Sequence, residues 1–134
     1  MRLKDDGSEV VIMHVEDDPI ARGLINKIIH MKFPGVMLVE AENGEIGVEI
    51  FNRYKPDIVL TDISMPILDG LAMAAEIMAI QPDTHIVALS ALSDVPQYRL
   101  RAKEIGIDLF LKKPIDFNQL FNALEQYMGI TVRH

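Results

Sequence analysis

The amino-acid sequence predicts an α/β domain in which a doubly wound, five-stranded parallel sheet is covered by helices on both faces. Three observations predict it. Short runs of Val, Ile and Leu recur five times without clean polar alternation, as strands buried on both faces require. Segments of helical period separate those runs, and strand and helix alternate five times. Finally, 134 residues, 49% of them hydrophobic and 25% charged, make one globular domain that can bury about two-thirds of its surface.

The strands are read at Val10 to Val15, Val36 to Val39, Ile58 to Leu60, Ile86 to Leu89 and Ile107 to Leu111. Asp18-Pro19, an N-cap acid followed by proline at the first helical position, opens a helix over Pro19 to Met31 with Ile20, Leu24 and Ile28 at spacing four. After Gly44, the second helix carries Ile46, Ile50 and Tyr54 on one face; after Asp69-Gly70, the third carries Leu71, Ala74, Ala75 and Met78. The fourth starts near Asp94, with Pro96 in its first turn, and stops at Gly106. The fifth has Asp116 and Gln119 in capping-box spacing, then Phe117, Leu120, Phe121, Leu124 and Met128, and ends at Gly129. Residues 1–8 form a polar N-terminal extension, 9–129 the domain and 130–134 a short tail.

Composition excludes several classes of function. Thirteen basic residues against 20 acidic ones give a net charge of −7, which repels nucleic acid and anionic membrane surfaces, so direct partners of either kind are not expected. With no cysteine, disulfides, thiolate zinc sites and cysteine nucleophiles are out. No apolar run is long enough to span a bilayer, and the polar start is no signal peptide, which points to the cytoplasm. His14, within the first strand, reads as a satisfied core histidine, and the eight methionines as core filler.

In a doubly wound sheet, ligands sit outside the carboxyl ends of the strands. There the first strand ends in Glu16-Asp17-Asp18, the third in Asp62, the fourth in Ser90-Ala91 and the fifth in Lys112-Lys113-Pro114. Singly, each residue is an ordinary turn or cap residue; Asp18 is foremost a helix cap. Jointly, four strands deliver carboxylates, a hydroxyl and an ammonium to one rim. Carboxylates ~4 Å apart repel by roughly 4 kcal/mol at an effective dielectric of 20. Such a set suits a hard divalent cation, Mg²⁺ foremost, with lysine and serine facing a phosphoryl group.

These residues resemble the receiver domains of bacterial two-component response regulators, which are CheY-like in fold. The resemblance spans about Glu9 to Met128. It is carried by His14-Val15-Glu16-Asp17-Asp18, by Pro56 through Pro66, by Asp69-Gly70, by Val87 through Ala91 and by Gly106 through Pro114. It implies the flavodoxin-like strand order 2-1-3-4-5. It also implies Asp62 as phosphoacceptor, Glu16 and Asp17 as the acid pair holding Mg²⁺ with Asp62, and the Ser64 backbone carbonyl as a further ligand. Ser90 would be the switch hydroxyl, Phe110 the switch aromatic, and Lys113, which directly precedes Pro114, the phosphoryl-contacting lysine.

The implied function is a phosphorylation switch, not an enzyme in its own right, fed by a sensor histidine kinase or phosphotransfer domain. An output domain or target protein reads it, and homodimerisation would use the face of the fourth helix, fifth strand and fifth helix. Both a stand-alone receiver and a fragment of a longer regulator or hybrid kinase fit the sequence. Two departures stand out: the acid pair is Glu-Asp rather than Asp-Asp, and serine replaces the more frequent threonine at position 90. A flavodoxin needs a glycine- and hydroxyl-rich phosphate cradle where the acids stand, and aspartyl phosphatases carry an acid where Ser64 stands. The remaining alternative is a pseudo-receiver that binds partners without phosphotransfer, against which the complete set Glu16, Asp17, Asp62, Ser90 and Lys113 argues.

Overall fold

In the computed structural model the described residues are 4, 7–65, 67–91 and 95–129. Strands β1 (Val11–Val15), β2 (Met37–Ala41), β3 (Ile58–Asp62), β4 (His85–Ser90) and β5 (Leu109–Lys112) alternate with helices α1 (Pro19–Lys32), α2 (Gly44–Tyr54), α3 (Gly70–Ile80), α4 (Pro96–Ile105) and α5 (Phe117–Tyr127). The sheet runs β2-β1-β3-β4-β5, parallel at each junction, as the receiver resemblance implies.

Alternation along each strand divides the core. Ile12, Ile58, Leu60, Val87 and Leu89 face α1 and α5, meeting Ile25, Ile29, Phe33, Leu120 and Leu124. Met13, Val15, Val59 and Ile86 face α2 and α3, meeting Phe51, Met73, Ala74 and Ile77. A smaller group of Ile63, Leu71, Ala88 and Ala102 seats α4, with Tyr98 and Phe110 packed on it. The three central strands are buried almost throughout, whereas the edge strands β2 and β5 are half-exposed. That corrects the expectation of five strands buried alike. Edge strands lose one lateral neighbour and some helix cover.

The caps follow the sequence closely. Asp18 accepts from the Ile20 N–H at 3.0 Å, Asp69 from Ala72 at 2.8 Å and Asp116 from Asn118 at 3.0 Å, each satisfying an otherwise orphaned donor. Two expectations fail on the helix faces. Ile20 and Leu24 of α1 are 82% and 58% exposed, and Ile25 and Ile29, one position further round, are the buried pair. The apolar stripe of α1 is wider than its core contact, so spacing alone selected the outer edge. Likewise Met31 is 75% exposed and is not core filler, although Met13 and Met73 are.

At the other end of the sheet, Ile107 and Asp108 precede β5 instead of opening it. Gly106 sits at φ 100 and the Ile107 N–H returns to the Ala102 carbonyl at 3.0 Å, so both residues close α4. Asp94, near which α4 was expected to begin, lies outside the described residues; the helix starts at Pro96 behind Val95, which makes no side-chain cap.

Candidate functional site

β1 leaves the sheet at Glu16, whose N–H still reaches the Ala41 carbonyl at 3.0 Å. This places the Glu16 side chain inside the rim, 4% exposed, while Asp17 faces solvent. Asp62 closes β3 next to it, 8% exposed, with Oδ1 accepting from the Ile63 N–H at 2.8 Å. The backbone N–H of Lys113 donates to the Ser90 carbonyl at 3.1 Å, so β4 fixes the start of the loop that carries the lysine. The Lys113–Pro114 peptide bond is cis. From there Lys113 Nζ lies 3.0 Å from Asp62 Oδ2 and 3.8 Å from Glu16 Oε1. Of the two adjacent lysines it is Lys113 that enters the site; Lys112 is exposed.

Carboxylate oxygens of Glu16, Asp17 and Asp62 lie within 4.8 Å of one another. Burial pushes the Glu16 carboxyl up to about 7, and the charge of Asp62 pushes the same way, against the pull of Lys113. A carboxyl held so high reflects first its removal from water and second a neighbouring carboxylate that Lys113 only partly offsets. The donor set fits a hard divalent cation: all oxygens, two of them deeply placed, one at the solvent side.

Ser64 sits exposed in the β3–α3 loop, two residues beyond Asp62. Glycine sets the course of that loop at two close approaches. A Cβ on Gly70 would run into the Asp62 carbonyl, and one on Gly44 into the Leu68 carbonyl that accepts the Gly44 N–H at 3.1 Å. Ser90, 2% exposed, ends β4. Phe110 is half-buried on the Ile63–Ala88–Ala102 group, with the Arg99 guanidinium 5.9 Å from its ring centroid. The structure thus gathers Glu16, Asp17, Asp62 and Lys113 closely, places Ser90 at the adjoining strand end, and sets Phe110 one strand further out.

Sequence reading missed a polar chain beneath the acid pair. His14 is buried, pairs in register with Glu40 of β2, and its Nδ1 lies 2.7 Å from Asn26 Oδ1. The Asn26 amide donates to Glu40 Oε2, so the Asn26 oxygen faces His14 as acceptor and Nδ1 carries the proton. Burial pulls His14 down to about 4, with Asn26 opposing, so the ring is neutral as a satisfied core histidine. Arg22 lies 3.7 Å from Glu40 Oε1 and donates through Nη1 to the Glu16 carbonyl at 2.7 Å. The available signal was Arg22 and Asn26 one turn apart on α1 beside the buried Ile25 and Ile29.

With this geometry in view, comparison with known proteins gives the class first. The response regulator receiver domain family matches residues 12–125, and the chain belongs to it. The chain is 34% identical to chemotaxis protein CheY of Listeria monocytogenes, covering 86% of this chain and 95% of that protein. It is 33% identical to transcriptional regulatory protein GlrR of Escherichia coli K12 over 85% of this chain but 25% of that protein. Several curated relatives are therefore longer, and the chain spans only a quarter to about half of them. Among solved structures, the N-terminal domain of an uncharacterized Wolinella succinogenes protein superposes with a TM-score of 0.82 at 37% identity, covering 92% of this chain and 97% of that one. Among the described residues, no helix is long and apolar enough to cross a membrane.

Proposed function

We propose that the chain is an active phosphoacceptor switch in which Asp62 receives a phosphoryl group from a phosphohistidine donor, a sensor histidine kinase or phosphotransfer domain. The observation that carries this reading is Asp62 at the end of the central strand, 3.0 Å from Lys113 Nζ and within reach of the Glu16 and Asp17 carboxylates. A carboxylate oxygen of Asp62 attacks phosphorus as the donor's P–N bond breaks, and the donor imidazole keeps the bonding pair and takes a proton. Lys113 then moves its charge from the carboxylate to a phosphoryl oxygen.

Glu16, Asp17 and Asp62 would hold Mg²⁺, with the Ser64 carbonyl as a further ligand. When bound, the cation supplies charge neutralisation for the phosphoryl oxygens. The phosphoryl group adds roughly 1.5 to 2 negative charges, which draws the Ser90 hydroxyl toward it and opens space for the Phe110 ring. Output follows on the α4, β5 and α5 face, where a target protein, an output domain or a second copy reads the switch. Action in the cytoplasm and a receiver unit of residues 9–129 accord with this reading.

The test is labelling by acetyl phosphate with and without Mg²⁺, read by intact mass and borohydride trapping. The expected result is Mg²⁺-dependent phosphorylation confined to Asp62. Failure to label under conditions where Mg²⁺ binds would make the chain a pseudo-receiver.

A further inference from the structure

We propose that Arg22 is a positioning residue for the metal-binding acid pair, acting through the backbone of Glu16 and held in place by Glu40. This rests on the reading of Glu16 as a metal ligand. Arg22 projects from α1 with its side chain 17% exposed, and its guanidinium serves two strands, one by a hydrogen bond and the other by an ion pair. Nη1 donates to the Glu16 carbonyl at 2.7 Å, at the point where β1 leaves the sheet. Nε lies 3.7 Å from Glu40 Oε1 on β2. The other Glu40 oxygen takes the Asn26 amide, and Asn26 is fixed in turn by the buried His14. A chain of side chains from β1, α1 and β2, running from His14 through Asn26 and Glu40 to Arg22, thereby ends on the peptide that carries the acid pair.

The consequence reaches the carboxylate through the turn itself. Glu16 Oε2 is 3.4 Å from the Asp18 N–H, while Asp18 caps α1. Release of the Glu16 carbonyl frees the peptide linking Glu16 to Asp17, so both ligands lose their shared orientation. Groups that orient ligating carboxylates in this way typically change metal affinity 10- to 100-fold.

The sign of the effect separates positioning from charge. Arg22 is a cation beside a cation site. If it acted only through its charge, removing it would tighten Mg²⁺ binding. If it positions Glu16 and Asp17, removing it loosens binding.

The experiment measures Mg²⁺ dissociation constants by amide chemical-shift titration on the intact chain, together with hydrogen exchange of the Asp17 and Asp18 amides in metal-free protein. Arg22→Gln should bind Mg²⁺ about tenfold more weakly and exchange those amides faster, and Arg22→Lys, which keeps one donor and the charge, should recover part of both. Lys27→Gln, which removes a charge from an exposed position of the same helix, should change neither. Unchanged or tighter binding in Arg22→Gln, with unaltered exchange, overturns the proposal. If Arg22→Gln does not fold, Arg22→Lys decides alone by the same two readouts. Should wild type bind no Mg²⁺, the functional reading fails, and the metal-free amide exchange still decides the positioning role.

Discussion

The two ends of the sheet use the same residue type for opposite purposes. At the amino end, Asp57 precedes β3 and Asp108 precedes β5, and each reaches sideways to a neighbouring strand. Asp57 accepts from the Val11 N–H and from Lys4 Nζ, both at 2.9 Å. Asp108 accepts from the Ile86 N–H at 2.8 Å and lies 3.5 Å from His85 Nδ1. Each of these carboxylates has a backbone donor and a cationic or protonatable partner. At the carboxyl end, Glu16 and Asp62 share Lys113, Asp17 stands within the same cluster, and Glu16 is driven up to about 7. At the amino end each acid has a partner of its own and ties two strands together, whereas at the carboxyl end two buried acids share one lysine.

The largest effect expected from this contrast is in phosphorylation. Asp62→Asn should abolish labelling by acetyl phosphate, whereas Asp57→Asn and Asp108→Asn should retain wild-type stoichiometry. Label retained in Asp62→Asn would place the acceptor elsewhere and erase the distinction between the two ends.

Next in size is stability. Asp57→Ala leaves the Val11 N–H without its side-chain acceptor and breaks a charge-assisted bond, a loss of about 2 to 3 kcal/mol. Asp17→Asn removes one repelling charge from the metal-free cluster and should be neutral or stabilising by up to about 1 kcal/mol. Urea denaturation in chelator checks both, and equal losses for the two variants would show that the carboxyl end carries no excess charge.

The pH dependence sharpens the comparison, because burial acts oppositely on Glu16 and on His14, two residues before it. Between 4.5 and about 7 folded Glu16 holds a proton that the unfolded chain has released, so its contribution to stability falls as pH rises. Between about 4 and 6.5 unfolded His14 binds a proton that the folded chain refuses, so its contribution falls as pH drops. Each group moves stability in its own direction across its window. In metal-free protein the two slopes oppose each other between 4.5 and 6.5, each offsetting part of the other. Saturating Mg²⁺ keeps Glu16 ionised and should uncover the His14 slope, with stability lost on acidification below 6.5. Parallel curves with and without Mg²⁺ would show that Glu16 does not couple to the metal.

The fold was legible because parallel strands covered on both faces must be apolar runs, and because three helices announce themselves with an acid one residue before the first turn. The acid site was legible because acids stand directly after the apolar run of β1 and within two residues of that of β3. The buried face of α1 was not, since Ile20 and Leu24 are as apolar as Ile25 and Ile29 and only the packing direction separates them. Nor was the chain of His14, Asn26, Glu40 and Arg22. It depends on the register that sets His14 beside Glu40, and no local pattern encodes register between β1 and β2. Ile107 read as strand because it is apolar, yet its N–H is committed to closing α4.

The smallest expected effect lies again at the amino end. Tyr127, in the last turn of α5, stacks on His85 with ring centroids 4.6 Å apart and planes 7° from parallel, beside the Asp57 and Asp108 staples. Burial, with the charge of Asp108 adding to it, pushes the Tyr127 hydroxyl up, which keeps it neutral across the physiological range. The contact therefore joins a neutral phenol to an imidazole that pairs with Asp108, and its worth is that of an aromatic pair, roughly 0.5 to 1.5 kcal/mol. Tyr127→Leu preserves most of the apolar cover and should cost about 1 kcal/mol in urea denaturation. Because Tyr127 lies in the last turn of α5, at the opposite end of that helix from Lys113, the Mg²⁺ dissociation constant should stay at the wild-type value. A shift in that constant comparable to the one expected for Arg22→Gln would mean that the two ends of the sheet are energetically coupled, and that the staples at the amino end help set the charge balance at the other.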